Sequence, residues 1–288
     1  LKDTLQTQQG IVNLNGLQFS TLSEGPPDGD AVVLLHGFPQ FADTWTNLMH
    51  MLAAAGFRAL AFDQRGYSAA ARPLEVDEYD VVHLTSDVLA FADQAHALRF
   101  HLVGHDWGGF LAWKLAAEHP GRVGSLCVLS TPHVDAFLNA AKTDVEQQEK
   151  SRYIHFFKMP GGMAESALLG DRARLLRGVY QDKVAEEQID ANIRRFSEPG
   201  ALTAAINWYR ALDLEMRISN IVVPTLFVWG DRDLACGKQA AIATAQYMKA
   251  SYRFESLAGY SHWLLDEAPD QIAGLILSHI KSHPLSHP

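Results

Sequence analysis

Residues 104–109 read Gly-His-Asp-Trp-Gly-Gly, directly behind the apolar run Phe100–Val103 and ahead of an amphipathic stretch. The spacing is that of a nucleophile elbow, G-x-S-x-G, with aspartate where serine is usual. Such a strand-to-helix turn pushes its central side chain outward above the carboxyl edge of a sheet. Gly104, Gly108 and Gly109 leave room for the tight backbone and the close helix contact. The plain alternative for Asp106 is a solvated helix N-cap, a position that favours aspartate. The flanking glycines and the apolar strand favour a carboxylate nucleophile instead. A carboxylate gains little by attacking a carbonyl, where it would form a mixed anhydride. It suits displacement at a saturated carbon bearing a strained or stable leaving group, which leaves an alkyl ester on Asp106. Freeing that ester needs water, a base and donors for an oxyanion.

Other residues supply these parts. "LLHGFP", 34–39, follows an apolar run and would offer the Phe38 N–H as one oxyanion donor, with the Trp107 N–H as the other. Read plainly, it is only a tight turn. "AGYSHWLLDEAP", 258–269, sets His262 in a loop before a C-terminal helix, the chain position for the base. Of thirteen histidines, only this one has that setting. "LFVWGDRDLACG" offers two carboxylates. Asp231 reads as a turn residue, whereas Asp233 has room to reach the imidazole and hold its tautomer. Asp135, in "STPHVDAF", is the outside candidate for that acid. The chain order is then nucleophile Asp106, acid Asp233, base His262.

The elements that must carry these residues are legible as short apolar runs alternating with helical patterns. Strands are expected at 16–22, 31–36, 57–63, 100–105, 123–130, 224–230 and 252–257. Several lack polar alternation, as in strands covered on both faces. Helical patterns lie near 41–55, 81–97, 108–118 and 237–249, so the repeated β–α order implies a mostly parallel, doubly wound sheet. The alternation stops between about 132 and 218, where the chain reads as helix with breaks at Pro160-Gly161-Gly162 and Pro199-Gly200. A helical insertion there is a candidate lid; otherwise it is a second layer with no part in the site. The tail "KSHPLSHP" is expected to be a disordered end.

Bulk properties narrow the class. The 288 residues suffice for one large α/β domain or two small ones. A net charge of −9, with no Lys/Arg cluster, argues against a nucleic-acid or anionic-membrane surface. Cys127 and Cys236 read as buried free thiols without metal-ligand spacing. No apolar run approaches the ~20 residues that span a bilayer. "LKDTLQTQQG" has no secretory h-region and does not start with Met, so the expected location is cytoplasmic, with a processed start left open.

Across nearly its whole length the chain resembles the epoxide hydrolases of the α/β-hydrolase fold, in "HGFP" (36–39), "GHDWGG" (104–109), "GDRD" (230–233) and "SHW" (261–263). The resemblance implies an α/β-hydrolase core from residues 1–131 and 219–288, with a helical cap, 132–218, inserted between sheet strands. It implies two cap tyrosines that polarise the epoxide oxygen and protonate the departing alkoxide. These are Tyr153 in "YIHFFKMPG" and Tyr209 in "NWYR"; without the resemblance, both read as packing aromatics. Trp107, Phe38 and Pro39 would contact a small, mostly apolar epoxide. It would become a vicinal diol without metal or organic cofactor; a homo-oligomer stays open. Asp63, Arg65 and His105 read as structural. Ser261 departs from the glycine frequent before this histidine. A haloalkane or haloacid dehalogenase shares the aspartate nucleophile and is the nearest rival. Phe38 stands where haloalkane dehalogenases often have asparagine, and Trp107 where fluoroacetate-type enzymes typically have arginine. A non-catalytic ligand-binding homologue is expected to lack a triad member, and none is missing here. Asp106 excludes a serine esterase.

Overall fold

The computed structural model describes residues 7–286. An eight-stranded sheet runs β1-β2-β4-β3-β5-β6-β7-β8. Its strands are β1 (Gln8–Leu14), β2 (Leu17–Glu24), β3 (Ala31–Leu35), β4 (Arg58–Phe62), β5 (Phe100–His105), β6 (Val123–Leu129), β7 (Thr225–Gly230) and β8 (Tyr252–Leu257). The first two strands form an antiparallel hairpin, β2 lies antiparallel to β4, and every later pairing is parallel. The central strands β3, β5, β6 and β7 are buried at every position. Alternate residues enter two different cores. Val33, Leu35, Leu102, Phe227 and Trp229 face one; Val32, Leu34, Val103, Leu226 and Val228 face the other.

Helices cover both faces. The first core takes Leu84 and Val88 of α2 (Val81–Gln94) and Leu111 and Leu115 of α3 (Trp107–Glu118). The second takes Leu48 and Leu52 of α1 (Thr46–Ala54). Between β6 and β7 the chain runs through α4 (Val134–Thr143), α5 (Val145–Lys150), α6 (Arg152–Phe157), α7 (Met163–Val179), α8 (Glu186–Phe196) and α9 (Ala201–Ala211). α7 breaks at Gly170–Ala173, where three successive residues have positive φ. These inserted helices are tied to the core by buried polar contacts. Trp208 Nε1 donates to Arg65 O (2.8 Å), Tyr180 Oη donates to Pro39 O (2.6 Å), and Arg195 pairs with the buried Asp63. The chain closes with α10 (Lys238–Ala243), α11 (Leu264–Glu267) and α12 (Pro269–Lys281), the last adding Ile272 and Ile276 to the second core.

The expected strands omit β1, a mostly exposed edge strand with little apolar pattern, turned by Asn15-Gly16, both at positive φ. The expected disorder of the tail does not hold over 281–286; residues 287–288 lie outside the described range. Leu285 is buried against Gly124, and Arg99 donates to Ser286 Oγ (2.6 Å).

The elbow depends on close backbone contact. A Cβ on Gly108 would lie 1.9 Å from the carbonyl oxygen of Leu35, and one on Gly104 would lie 2.3 Å from Gly108 O. Backbone atoms cannot yield as a flexible side chain can. Gly108→Ala should therefore push α3 off β3 and destabilise the protein by about 3 kcal/mol or more. Urea denaturation checks this; an unchanged midpoint would show that the contact is slack.

Candidate active site

Asp106 caps α3 at the carboxyl end of β5 with φ 52° and ψ −122°, a conformation that L-residues rarely adopt. Its side chain makes no capping bond, so it does not serve as an ordinary N-cap. Because β3 pairs with β5, the loop after β3 lies alongside. There the Phe38 N–H donates to Asp106 Oδ1 (2.8 Å). Gly37 is required at this point, since a Cβ on it would fall 2.4 Å from Asp106 Cβ. Thr131 Oγ1 steadies the turn by donating to Asp106 O (2.9 Å).

His262 Nε2 stands 3.5 Å from Asp106 Oδ2. Its Nδ1–H donates to Asp233 Oδ2 (2.8 Å), which leaves Nε2 facing the nucleophile candidate. Asp233 Oδ1 is held by the N–H groups of Ala235 (2.8 Å) and Cys236 (2.9 Å). Asp231 accepts from Gly259 N–H (2.7 Å) as a turn residue, and Asp135 accepts from Ile218 N–H (3.1 Å) rather than from the imidazole. The structure thus joins Asp106, His262 and Asp233, and leaves Asp231 and Asp135 out.

Electrostatics follow from burial and charge. Burial works against a charged His262, but Asp233 and Asp106 outweigh it and push its pKa up to about 10. Burial likewise favours a neutral Asp106, yet the His262 hydrogen bond and charge hold its carboxyl below the usual range. The resting pair is therefore an ion pair. His105 is the reverse case: burial, with His262 beside it, lowers its pKa to about 4. It stays neutral, with Nε2–H donating to His262 O (2.9 Å). Ser130 Oγ donates to the same carbonyl (2.8 Å). No motif marked Ser130, and nothing short of the fold brings it beside residue 262.

Two cavities meet at Asp106, both also lined by Tyr153, Tyr209 and Ala235. One extends past Phe38, Phe157, Leu234 and Trp263 to His262; the other passes Phe110, Phe137, Leu212 and Cys236. The Tyr153 and Tyr209 rings are 5.8 Å apart, on α6 and α9. Burial, helped by the Asp106 charge, raises both phenols well above their ordinary pKa, so they remain protonated. The Trp107 ring packs edge-on at 5.1 Å from Tyr209 and lines the second cavity. Phe38 lines the first, whereas Pro39 lines neither and contributes its carbonyl to Tyr180.

The remaining candidates are structural. Arg65 forks onto Asp87 (2.7 and 3.0 Å), and Asp63 accepts from Ala42 N–H (2.8 Å) as well as pairing with Arg195. Cys127 and Cys236 are free and buried. Among the described residues, no group of three or more His, Cys, Asp or Glu is placed to hold a metal ion, and no helix is long and apolar enough to cross a membrane.

Comparison with known proteins gives a consistent picture. Residues 30–269 match the model of the α/β-hydrolase fold family. The AB hydrolase superfamily protein YfhM of Bacillus subtilis is 32% identical over 279 residues, covering 94% of this chain and 97% of that protein. Epoxide hydrolase A of Mycobacterium tuberculosis is 30% identical, covering 93% and 95%. Among solved structures, epoxide hydrolase A from Mycobacterium thermoresistibile superposes with a TM-score of 0.84 at 26% identity, covering 98% of this chain and all (100%) of that one.

Proposed function

From the premise that this chain belongs to the epoxide hydrolase family of the α/β-hydrolase fold, we propose that it hydrolyses small, mostly apolar epoxides to vicinal diols through a covalent ester on Asp106. The inserted helices act as the cap. Tyr153 and Tyr209 hold the epoxide oxygen while Asp106 Oδ2, the oxygen not bound by Phe38, attacks a ring carbon from the opposite side. That C–O bond forms as the ring C–O bond breaks, and one phenol protonates the alkoxide.

Ester formation removes the Asp106 charge, one of the two that keep His262 protonated. The imidazolium then returns a proton to the tyrosinate and becomes the base. Water attacks the carboxyl carbon of Asp106 and gives a proton to His262 Nε2. The oxyanion forms on Oδ1, which already accepts from the Phe38 N–H, with the Trp107 N–H at the start of α3 as the second donor. Its collapse releases the diol and restores the ion pair, so protons and charge balance over the cycle.

The observation that carries this reading is the convergence of Asp106, Tyr153 and Tyr209 on shared cavities, with His262 on the far carboxylate oxygen. One turnover in heavy-oxygen water tests it. The first diol should be light while Asp106 gains the label; a labelled first diol on an unlabelled protein rules out the ester. Parallel incubation with styrene oxide and a short bromoalkane should give diol without bromide, whereas bromide release would favour a dehalogenase.

A further inference from the structure

We infer that Gln147, with Lys150 one turn along α5, is the positioning residue that holds the two halves of the reaction in register. It grips the loop carrying Asp233 and, on its other side, the helix carrying Tyr153. The inference rests on the roles proposed above for those two residues.

Gln147 is fully buried within the insertion, and its side chain hydrogen-bonds Ser151, Ala235 and Gly237 rather than Asp106 or His262. Burying a primary amide is costly unless its groups are paired. Here all are. Oε1 accepts from Gly237 N–H (2.7 Å), while Nε2 donates to Ala235 O (2.8 Å) and to Ser151 Oγ (3.0 Å). The loop it grips is curled around Asp233 Oδ1, which takes the N–H groups of Ala235 and Cys236 and leaves Oδ2 for His262. Gly237 N–H is the next donor along that curl, and Gln147 takes it. Lys150 Nζ donates to the carbonyl of Asp233 itself.

The other side of the grip leads to the phenol. Ser151 N–H donates to Gln147 O (2.9 Å), and Ser151 O accepts from Ile154 N–H (3.0 Å), so α6 starts directly on this joint. Tyr153 follows two residues after Ser151. A shift at Gln147 therefore moves the imidazole's partner and the epoxide's proton donor together. Misplacement of about 1 Å can cost on the order of a hundredfold in rate.

Single-turnover quenching with styrene oxide, followed by mass analysis of the Asp106 peptide, separates ester formation from ester decay. Tyr153→Phe should slow formation alone, and Asp233→Asn decay alone. Gln147→Met, nearly isosteric but without the bonds, should slow both by about tenfold. It should also move the far-downfield His262 Nδ1 proton resonance upfield, which a loss of stability alone would not do. Both rates within about twofold of wild type, a fall in one step only, or an unmoved resonance overturns the inference. If Gln147→Met does not fold, the partly exposed Lys150→Met carries the test. Both rates should fall several-fold, and unchanged rates overturn it. Absence of any Asp106 ester in His262→Gln would instead overturn the ester mechanism, and this inference with it.

Discussion

His262→Gln should stop after the first half-reaction, with one equivalent of substrate bound covalently to the peptide containing Asp106. Glutamine keeps much of the volume of the imidazole but cannot take a proton from water. Loss of a general base slows its step by about 10²- to 10⁴-fold. The substitution also removes the cation that holds the Asp106 carboxyl low, leaving burial to raise its pKa. The reaction is therefore best followed across rising pH, which favours the charged Asp106 carboxylate in the variant. Intact-protein mass should rise by the mass of one epoxide, and diol release should be confined to the first turnover or less. Normal turnover with no added mass would show that the base lies elsewhere.

The double variant Tyr153→Phe, Tyr209→Phe should lose ring opening. An alkoxide is a poor leaving group, and removing one well-placed donor to a developing oxyanion costs about 10²- to 10³-fold. Removing both should exceed about 10⁴-fold without being a simple product, because the two hydroxyls act on one oxygen. The rings remain, so the packing of Tyr209 on Trp107 and Phe38 should persist. A non-reactive apolar ether should then bind as in wild type while no Asp106 ester forms. Retained ester formation would remove α6 and α9 from the chemistry.

How far these residues can be read in the chain depends on how local their signal is. The Gly-x-Asp-x-Gly-Gly spacing makes the elbow legible, because Gly104 and Gly108 answer close backbone approaches within the turn and against β3, and Gly109 leaves room for the Val128 and Thr131 side chains. β3, β5, β6 and β7 are legible as apolar runs because both faces are covered. Tyr153 and Tyr209 carry no such mark, and only the family resemblance separates them from packing aromatics. Ser130 and Gln147 are unreadable for another reason. A serine or glutamine in an unremarkable run gains meaning only when distant backbone groups close around it. Strand β1 fails through its polarity, although Asn15-Gly16 is a hairpin signal in its own right. The tail looks disordered by composition, yet one leucine finds the space that Gly124 leaves open.

The torsion angles at residue 106 also bear on how the molecule can evolve. A left-handed aspartate in that region costs on the order of 1–3 kcal/mol, a sizeable part of the roughly 5–15 kcal/mol that keep a protein folded. Glycine would relax the bend at once. Selection for heat tolerance alone would thus carry this lineage toward glycine at position 106, and erase the carboxylate on the way.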